Sequence, residues 1–419
     1  MLKRRNVLPM VMFGFTLVAV NLSFAADWPR FRGPNGAGVA EDKTIPVQWT
    51  AKDMLWKVEM PGPGNSSPIV WKGQIYTQAA SKDGAERMLI CMDAKDGSTK
   101  WIQKAKGVQP AKGKVHALNT LASASPGVDA DHVYAVFWDG AKQVLHAYTH
   151  DGKPVWNHDF GTFVAQHGAG ASPIPHNGKV YFNNDIDGKA ELFCLDGKTG
   201  KVVWSAPRKA NTASYSSPIV RMQPDGKTAE LIMVTAGGMT AYHTDTGAKQ
   251  WNIDWKFKGK VLRTVGSPIY DHGIVFATSG DSPEGPRQLM AVRPGDKSPK
   301  IVWESHKDIP YMSSPVSHGN YLYYVTDKAF VGCCEAETGK RLWLERIGDA
   351  DFSSSPLLIG GKIYVANQGG DVFVFNPSPN KLEVLARNSL NERIMSTPAV
   401  SDERMFIRGA KHMFCIGKR

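Results

Sequence analysis

Two histidines and two adjacent cysteines have the spacings in this sequence that are most typical of reactive sites. His146 and His150 are four residues apart, which on a helix would place both imidazoles on one face as metal ligands. Here we predict His146 in a strand and His150 in the following turn, so no shared metal ion is expected. Cys333 and Cys334 are neighbours in a predicted strand, where successive side chains face opposite ways. Their Cα atoms, about 3.8 Å apart, are also too close for an ordinary disulfide.

A second group of polar and aromatic side chains lies in loops that directly precede eight recurring prolines. Singly, each is more often a solvated loop residue, but around one central channel they would line a polar, aromatic pocket. The candidate channel-mouth residues are His116, Asn119, Gln166, His167, Tyr215, Arg263, Tyr311, Asp351, Phe352 and Arg393.

The prolines belong to an internal repeat that must position these loops. Each ends a tripeptide of two small residues and proline, and successive copies are 41 to 58 residues apart. The copies end at Pro68, Pro126, Pro173, Pro218, Pro268, Pro315, Pro356 and Pro398. In the third unit, strands are predicted at 172–174, 179–183, 191–195 and 201–205, separated by Asn, Asp and Gly turns. Eight units of four antiparallel strands predict an all-β, eight-bladed β-propeller.

The turn before the fourth strand carries an eleven-residue motif. From Cys194 to Trp204 a small residue leads, Asp is third, Thr-Gly is sixth and seventh, and Trp is last. This segment resembles the tryptophan-docking motif of the pyrroloquinoline-quinone (PQQ) quinoprotein superfamily, whose members are propellers. The resemblance implies that each indole packs against the neighbouring blade. The predicted docking residues are Trp56, Trp101, Trp156, Trp204, Trp251, Trp303 and Trp343.

Ring closure is predicted from the two ends of the repeat. The eighth unit has three strands, the last ending near Cys415, and no fourth. The segment Met54–Val58 precedes the first unit and contains Trp56, as an outer strand would. We therefore expect the N-terminal strand to complete the last blade, which removes both free sheet edges.

The cysteines also follow the repeat. Cys91, Cys194, Cys333 and Cys415 each occupy the small first place of a motif, in different blades. Neighbouring blades are about 10 Å apart, beyond the Cα distance of a disulfide. We expect all five cysteines, Cys334 included, to be free and buried.

The N-terminus has the pattern of a secretory signal. Three basic residues precede an apolar run of about 14 residues, which is short for a membrane span. Cleavage after Ala25 is therefore favoured over the alternative, an uncleaved N-terminal anchor. The predicted organisation is a signal peptide at 1–25, an extension at 26–50 and the propeller at 51–419. Removal of the signal lowers the formal charge from +11 to +8. Dispersed charge predicts no nucleic-acid partner.

The extension contains the segment Trp28–Gly36, rich in Trp, Phe and Arg. Similar stretches occur in exported PQQ-like repeat proteins. This segment precedes the closing strand, so it cannot belong to a blade. It either binds a partner or, the favoured interpretation, packs over one face of the ring as a plug.

Two functions follow from the resemblance. One is an exported, non-catalytic binding or scaffolding module of the periplasm or cell envelope, similar to the outer-membrane assembly factor BamB. It would be a monomer without a cofactor and would bind an envelope protein or small ligand at the propeller face. The other is a PQQ-dependent dehydrogenase that oxidises an alcohol or sugar with calcium-bound PQQ. Short repeat units leave little room for cofactor loops, and no calcium ligands can be assigned, so the binding module is favoured.

Overall fold

Eight four-stranded antiparallel sheets follow one another along the chain and form the predicted propeller. In this computed structural model, the described residues are 27–109, 115–208, 212–255, 263–280, 285–295 and 298–418. The predicted signal at 1–25 lies outside them. The described residues include one turn of 3-10 helix, Pro34–Gly36, and contain no helix long and apolar enough to span a membrane.

The first four blades run in chain order from the inner to the outer strand. Blade 1 contains β3 (Ile69–Trp71), β4 (Gln74–Ala80), β5 (Glu86–Asp93) and β6 (Thr99–Lys106). Blade 2 contains β7 (Gly127–Val128), β8 (Val133–Trp138), β9 (Lys142–Tyr148) and β10 (Pro154–Thr162). Blade 3 contains β11 (Ile174–His176), β12 (Lys179–Ile186), β13 (Lys189–Asp196) and β14 (Val202–Arg208). Blade 4 contains β15 (Ile219–Met222), β16 (Ala229–Thr235), β17 (Gly238–His243) and β18 (Lys249–Asp254).

The next three blades repeat this order, and the eighth takes its outer strand from the N-terminus. Blade 5 contains β19 (Ile269–Asp271), β20 (Ile274–Gly280), β21 (Arg287–Arg293) and β22 (Lys300–Ser305). Blade 6 contains β23 (Val316–His318), β24 (Tyr321–Val325), β25 (Phe330–Glu335) and β26 (Arg341–Arg346). Blade 7 contains β27 (Leu357–Ile359), β28 (Lys362–Ala366), β29 (Asp371–Asn376) and β30 (Glu383–Ser389), with β1 (Val39–Ala40) added beside β27. Blade 8 contains β31 (Ala399–Ser401), β32 (Arg404–Arg408), β33 (His412–Gly417) and β2 (Met54–Glu59).

Closure of the ring is confirmed by the pairing of β2 with β33. The two strands are antiparallel, and Trp56 lies opposite Cys415 in their register. Trp204 lies opposite Cys194 in the same way in blade 3. The closing strand therefore takes the register of an ordinary outer strand.

The docking tryptophans join each blade to the next. The indole of Trp204 in blade 3 donates a hydrogen bond to the carbonyl of Thr244 in blade 4, at 3.0 Å. Its ring lies against Gly247, where a Cβ atom would be 2.5 Å from the indole Cε3. Equivalent indole bonds to a carbonyl of the next blade are made by Trp56, Trp101, Trp156, Trp303 and Trp343.

Two junctions depart from this pattern. Trp251 donates to the carboxylate of Glu230 in its own blade, at 3.2 Å from Oε2, and Glu230 is also ion-paired with Arg221. Blade 7 lacks a docking tryptophan. There, Ile45 and Trp49 of the N-terminal extension pack in one core cluster with residues of blades 7 and 8. The extension thus fills the junction that the repeat leaves without an indole.

The segment Trp28–Ala40, which we call the plug, crosses the central channel. Trp28 pairs with Val70 of blade 1, while the carbonyl of Pro29 accepts a hydrogen bond from Val128 of blade 2. Asn35 exchanges two hydrogen bonds, at 2.7 and 2.8 Å, with the backbone of Val220 in blade 4. β1 then pairs in parallel with β27 of blade 7. The plug therefore contacts inner strands on several sides of the ring.

The five cysteines are free and buried, as predicted. Cys333 packs in one hydrophobic cluster and Cys334 in another, because strand neighbours face opposite sides of the sheet. Burial raises the pKa of the Cys334 thiol to about 12 and that of Cys333 to about 11.

Replacement of Gly247 with Ala is expected to destabilise the propeller more than replacement of Gly178 with Ala. Both glycines have a φ near +70°, so both variants carry the left-handed backbone cost of about 1–2 kcal/mol. Only at Gly247 would the new Cβ collide with Trp204, whereas nothing lies within 4 Å at Gly178. Urea unfolding measures the difference, and equal free energies of unfolding would contradict close docking.

All five thiols should remain protected in the folded protein. They are buried, and their raised pKa values keep them protonated at neutral pH, so Ellman's reagent should react only slowly. Denaturation without reductant should then release five thiols per chain. A count of three would reveal a disulfide and contradict this assignment.

Candidate functional site

A belt of hydroxyl groups surrounds the channel where the inner strands begin. Every recurring proline is preceded by Ser or Thr, and for most of these residues the hydroxyl oxygen accepts a hydrogen bond from the corresponding backbone N–H of the preceding blade. Seven such bonds, of 2.8 to 3.1 Å, are present among the described residues. The belt consists of Ser67, Ser125, Ser172, Ser217, Ser267, Ser314, Ser355 and Thr397.

A cavity of about 420 Å³ lies above this belt. Phe31 of the plug and six belt hydroxyls line it, and Met312 and Met395 add apolar surface. Lys328 and Asp351, both about half exposed, lie where the cavity meets solvent. The plug therefore closes one end of the channel, and the loops before the prolines surround the other.

One wall is built by blades 2 and 3. The rings of His116 and His167 are 4.7 Å apart between centroids, and the backbone N–H of His116 donates to the His167 carbonyl. Nδ1 of His116 accepts the N–H of Leu118 at 3.2 Å, which leaves Nε2 as the protonated nitrogen of the neutral ring. Asn119 donates to the His167 carbonyl at 2.7 Å. These bonds join the loops of blades 2 and 3, and both histidines line the cavity.

The opposite wall carries two ion pairs. Asp327, in the turn between β24 and β25, lies 2.6 Å from Arg287 and accepts the backbone N–H of Tyr311 and Met312. Asp351 lies 3.2 Å from Lys328. Each carboxylate on this wall is therefore matched by a cation.

The ten candidate channel-mouth residues fall into two groups in the structure, those that line the cavity and those that do not. Six line the cavity, and four lie outside its lining. The lining members are His116, Asn119, His167, Tyr215, Tyr311 and Asp351. The Tyr215 hydroxyl is buried, and burial raises its pKa well above the usual range.

The other four have structural contacts that the sequence did not reveal. Phe352 is fully buried in a hydrophobic cluster, with its ring 6.1 Å from that of Phe373, so its assignment to the channel mouth is corrected. Arg263 is 9% exposed and bonds to Gln166 at 3.0 Å, with Asp187 at 3.5 Å. Arg393 is exposed and donates to Gln368 at 3.0 Å.

Several residues that line the cavity were not predicted from the sequence. Phe31 comes from the plug, and Asp327 and Lys328 come from a turn within blade 6, so none directly precedes a recurring proline. The belt had a visible signal, because all eight prolines follow Ser or Thr. That those hydroxyls accept hydrogen bonds from the neighbouring blade is visible only in the three-dimensional structure.

The cavity residues do not fit calcium-bound PQQ. Calcium takes six to eight oxygen ligands, several of them carboxylates. Asp327 and Asp351 are already ion-paired, and the described residues contain no group of three or more His, Cys, Asp or Glu able to hold a metal. Cys333 and Cys334 are buried within blade 6 and do not line the cavity.

The fold and the docking pattern define a PQQ-like β-propeller with a plugged channel. The model of the family described as outer membrane protein assembly factor BamB matches residues 39–141, 141–296, 291–379 and 328–415. These matches span most of the sequence, and the chain belongs to this family.

Curated relatives are distant, and the matches cover only part of them. A tetrathionate hydrolase of Acidithiobacillus ferrooxidans is 24% identical over 258 residues, which are 58% of this chain and 49% of that protein. The assembly factor BamB of Shewanella oneidensis is 22% identical over 227 residues, 52% of this chain and 53% of the relative. The chain thus spans about half the length of these relatives.

Solved structures share the fold. BamB from Moraxella catarrhalis aligns with a TM-score of 0.62 at 16% identity, covering 87% of this chain and 97% of that one. Quinohemoprotein alcohol dehydrogenase from Comamonas testosteroni aligns with a TM-score of 0.64 at 12% identity, covering 94% and 81%. At these identities the likeness establishes the propeller alone.

Two arginines at equivalent loop positions should differ in their effect on stability. Arg263→Ala removes a buried cation from Gln166 and Asp187, so a loss of about 1–3 kcal/mol in the free energy of unfolding is expected. Arg393→Ala changes an exposed side chain and should cost less than about 0.5 kcal/mol. Thermal or urea unfolding of the two variants measures this contrast. Equal losses would contradict the structural role of Arg263.

Proposed function

We propose that this protein is an exported binding or scaffolding module of the cell envelope, without catalytic activity of its own. Membership of the BamB family supports a role in binding envelope proteins. The proposed site is the cavity mouth, which would receive a small ligand or a side chain of a partner. The N-terminal signal pattern supports export to the periplasm.

The observation that carries this proposal is a cavity with one closed and one exposed end. Phe31 and the hydroxyl belt form its floor, while Lys328 and Asp351 lie at its rim. The side chains between them are held in place by backbone hydrogen bonds. A preformed concave site of a few hundred Å³ with a small number of fixed polar groups is typical of ligand binding.

The alternative is a PQQ-dependent dehydrogenase. That activity would require bound PQQ with a calcium ion to polarise the quinone and an aspartate base. The ion-paired state of Asp327 and Asp351 argues against both roles for these carboxylates. We therefore favour the binding module.

Photo-crosslinking in the native cell envelope tests the proposed site. A benzophenone amino acid at Leu118, in the cavity wall, should give a discrete crosslinked species. The same group at Val202, exposed on the outer strand of blade 3, serves as the control because it is remote from the channel. Specific crosslinks from Val202 but not from Leu118 would contradict binding at the cavity.

Reconstitution with PQQ tests the alternative directly. After incubation with PQQ and Ca²⁺ and removal of free cofactor, no calcium-dependent quinone absorbance should remain. Dye reduction with primary alcohols or aldoses should also stay at the level of a protein-free control. A stoichiometric, calcium-dependent quinone spectrum with dye reduction would establish the dehydrogenase instead.

A further inference from the structure

Two arginines of the plug are buried without an acidic partner. Arg30 is 5% exposed and Arg32 is 1% exposed. Neither takes part in an ion pair within the described residues, and Arg30 Nε, Arg32 Nε and Arg32 Nη1 have no hydrogen-bond partner there. Burial lowers the pKa of both guanidinium groups to about 9, so both remain charged at neutral pH. Buried cations ordinarily require a compensating anion.

Their contacts place both charges next to the floor of the cavity. Arg30 donates to the carbonyl of Pro218, the residue after belt member Ser217. Arg32 donates to the carbonyl of Pro315 at 2.7 Å, directly after belt member Ser314. Phe31, which lies between the two arginines in the chain, itself lines the cavity. The floor is therefore under the positive field of two guanidinium groups.

The belt supplies hydrogen-bond donors to the same floor. A serine hydroxyl has one donor and two acceptor positions, and a belt oxygen uses one acceptor position for the neighbouring backbone N–H. No cavity-lining belt hydroxyl donates a bond in the part of the chain that the structure describes. Their O–H groups are thus available to acceptor oxygens of a ligand.

The remainder of the cavity adds no net charge. Its two wall carboxylates, Asp327 and Asp351, are each ion-paired, and Phe31, Met312 and Met395 supply apolar surface. We propose that the cavity floor binds an acidic group, a carboxylate or sulfonate, carried on a small apolar body. This inference rests on the proposed function, because it takes the cavity as the binding site.

Paired probes with the same ring test the charge preference. Calorimetric titration of the full mature protein at pH 7 and low salt should show benzoate and benzenesulfonate binding about 10- to 100-fold more tightly than benzyl alcohol. Added sodium chloride should weaken the binding of the two acids and leave the affinity for benzyl alcohol unchanged. Equal affinities for acids and alcohol would overturn this inference while supporting the cavity as a site. Failure of all three probes to bind would overturn the cavity as a site as well.

Two belt serines provide a matched pair of variants. Ser125 and Ser267 both accept a backbone N–H from the preceding blade, at 3.1 and 2.9 Å, but only Ser125 lines the cavity. Ser125→Ala and Ser267→Ala should lose similar thermal stability, and only Ser125→Ala should weaken benzoate binding, by several-fold. Equal weakening in both would show that the belt acts through structure and would overturn its role as donor.

The arginine contribution is tested with a charge-preserving control. Arg32→Gln should reduce the preference for benzoate over benzyl alcohol, and Arg32→Lys should retain most of it. If a folded Arg32→Gln variant keeps the full preference for benzoate over benzyl alcohol, the positive charge of the plug arginines has no role in binding. Circular dichroism confirms folding, and Arg30→Gln with Arg30→Lys serves as a second pair should the first variant fail to fold.

The acidic group is carried either by a free small molecule or by a side chain of a bound protein. Acetyl-Phe-Glu-amide and acetyl-Phe-Gln-amide distinguish these sources. Tighter binding of the Glu peptide than of benzoate identifies a protein side chain, and the reverse order identifies a small organic acid. Equal binding of the Glu and Gln peptides, together with equal benzoate and benzyl alcohol, contradicts acid recognition from either source.

Discussion

The backbone N–H to hydroxyl bond between neighbouring inner strands is the interaction on which this propeller depends. It recurs at seven junctions and fixes the distance between blades at the channel. At the periphery, indole-to-carbonyl bonds such as that of Trp204 fix the same spacing farther from the axis. Two contacts at different radii define an angle, and eight equal angles close a ring. Packing between blades, the shape of the channel and the size of the cavity all follow from this repeated geometry.

The exceptional junctions show how the ring tolerates an imperfect repeat. In blade 5, the docking motif that ends at Trp303 is two residues longer than the eleven-residue copies. In the blade before it, the indole of Trp251 bonds to Glu230 of its own blade. Arg221 neutralises Glu230, so the buried carboxylate keeps a partner. At the junction of blades 7 and 8 the extension supplies Trp49. Local substitutions therefore preserve the angle where the motif has changed.

Much of the architecture could be predicted from the sequence because the same local sequence pattern recurs in almost every blade. The prolines, the tryptophans and the incomplete eighth unit together defined eight blades and their closure. The site was less accessible. Arg263 was expected in a loop, and its burial depends on Asp187, a residue 76 positions earlier that only the ring brings near. Phe31 and Asp327 also line the cavity, but neither lies in a loop that directly precedes a recurring proline. The local sequence around them therefore gave no signal that they belong to the site.

Pairing of β2 with β33 has a consequence for the order of events during folding. The strand Met54–Glu59 and its partner His412–Gly417 are separated in the chain by the other seven blades. The last blade therefore forms only when two distant segments meet, which carries the entropic cost of closing a long loop. Until that contact is made, the incomplete ring keeps two unpaired sheet edges, which are sites for intermolecular pairing. Every folding chain thus passes through an interval in which it is vulnerable to aggregation, and a chaperone that shields sheet edges would act within that interval.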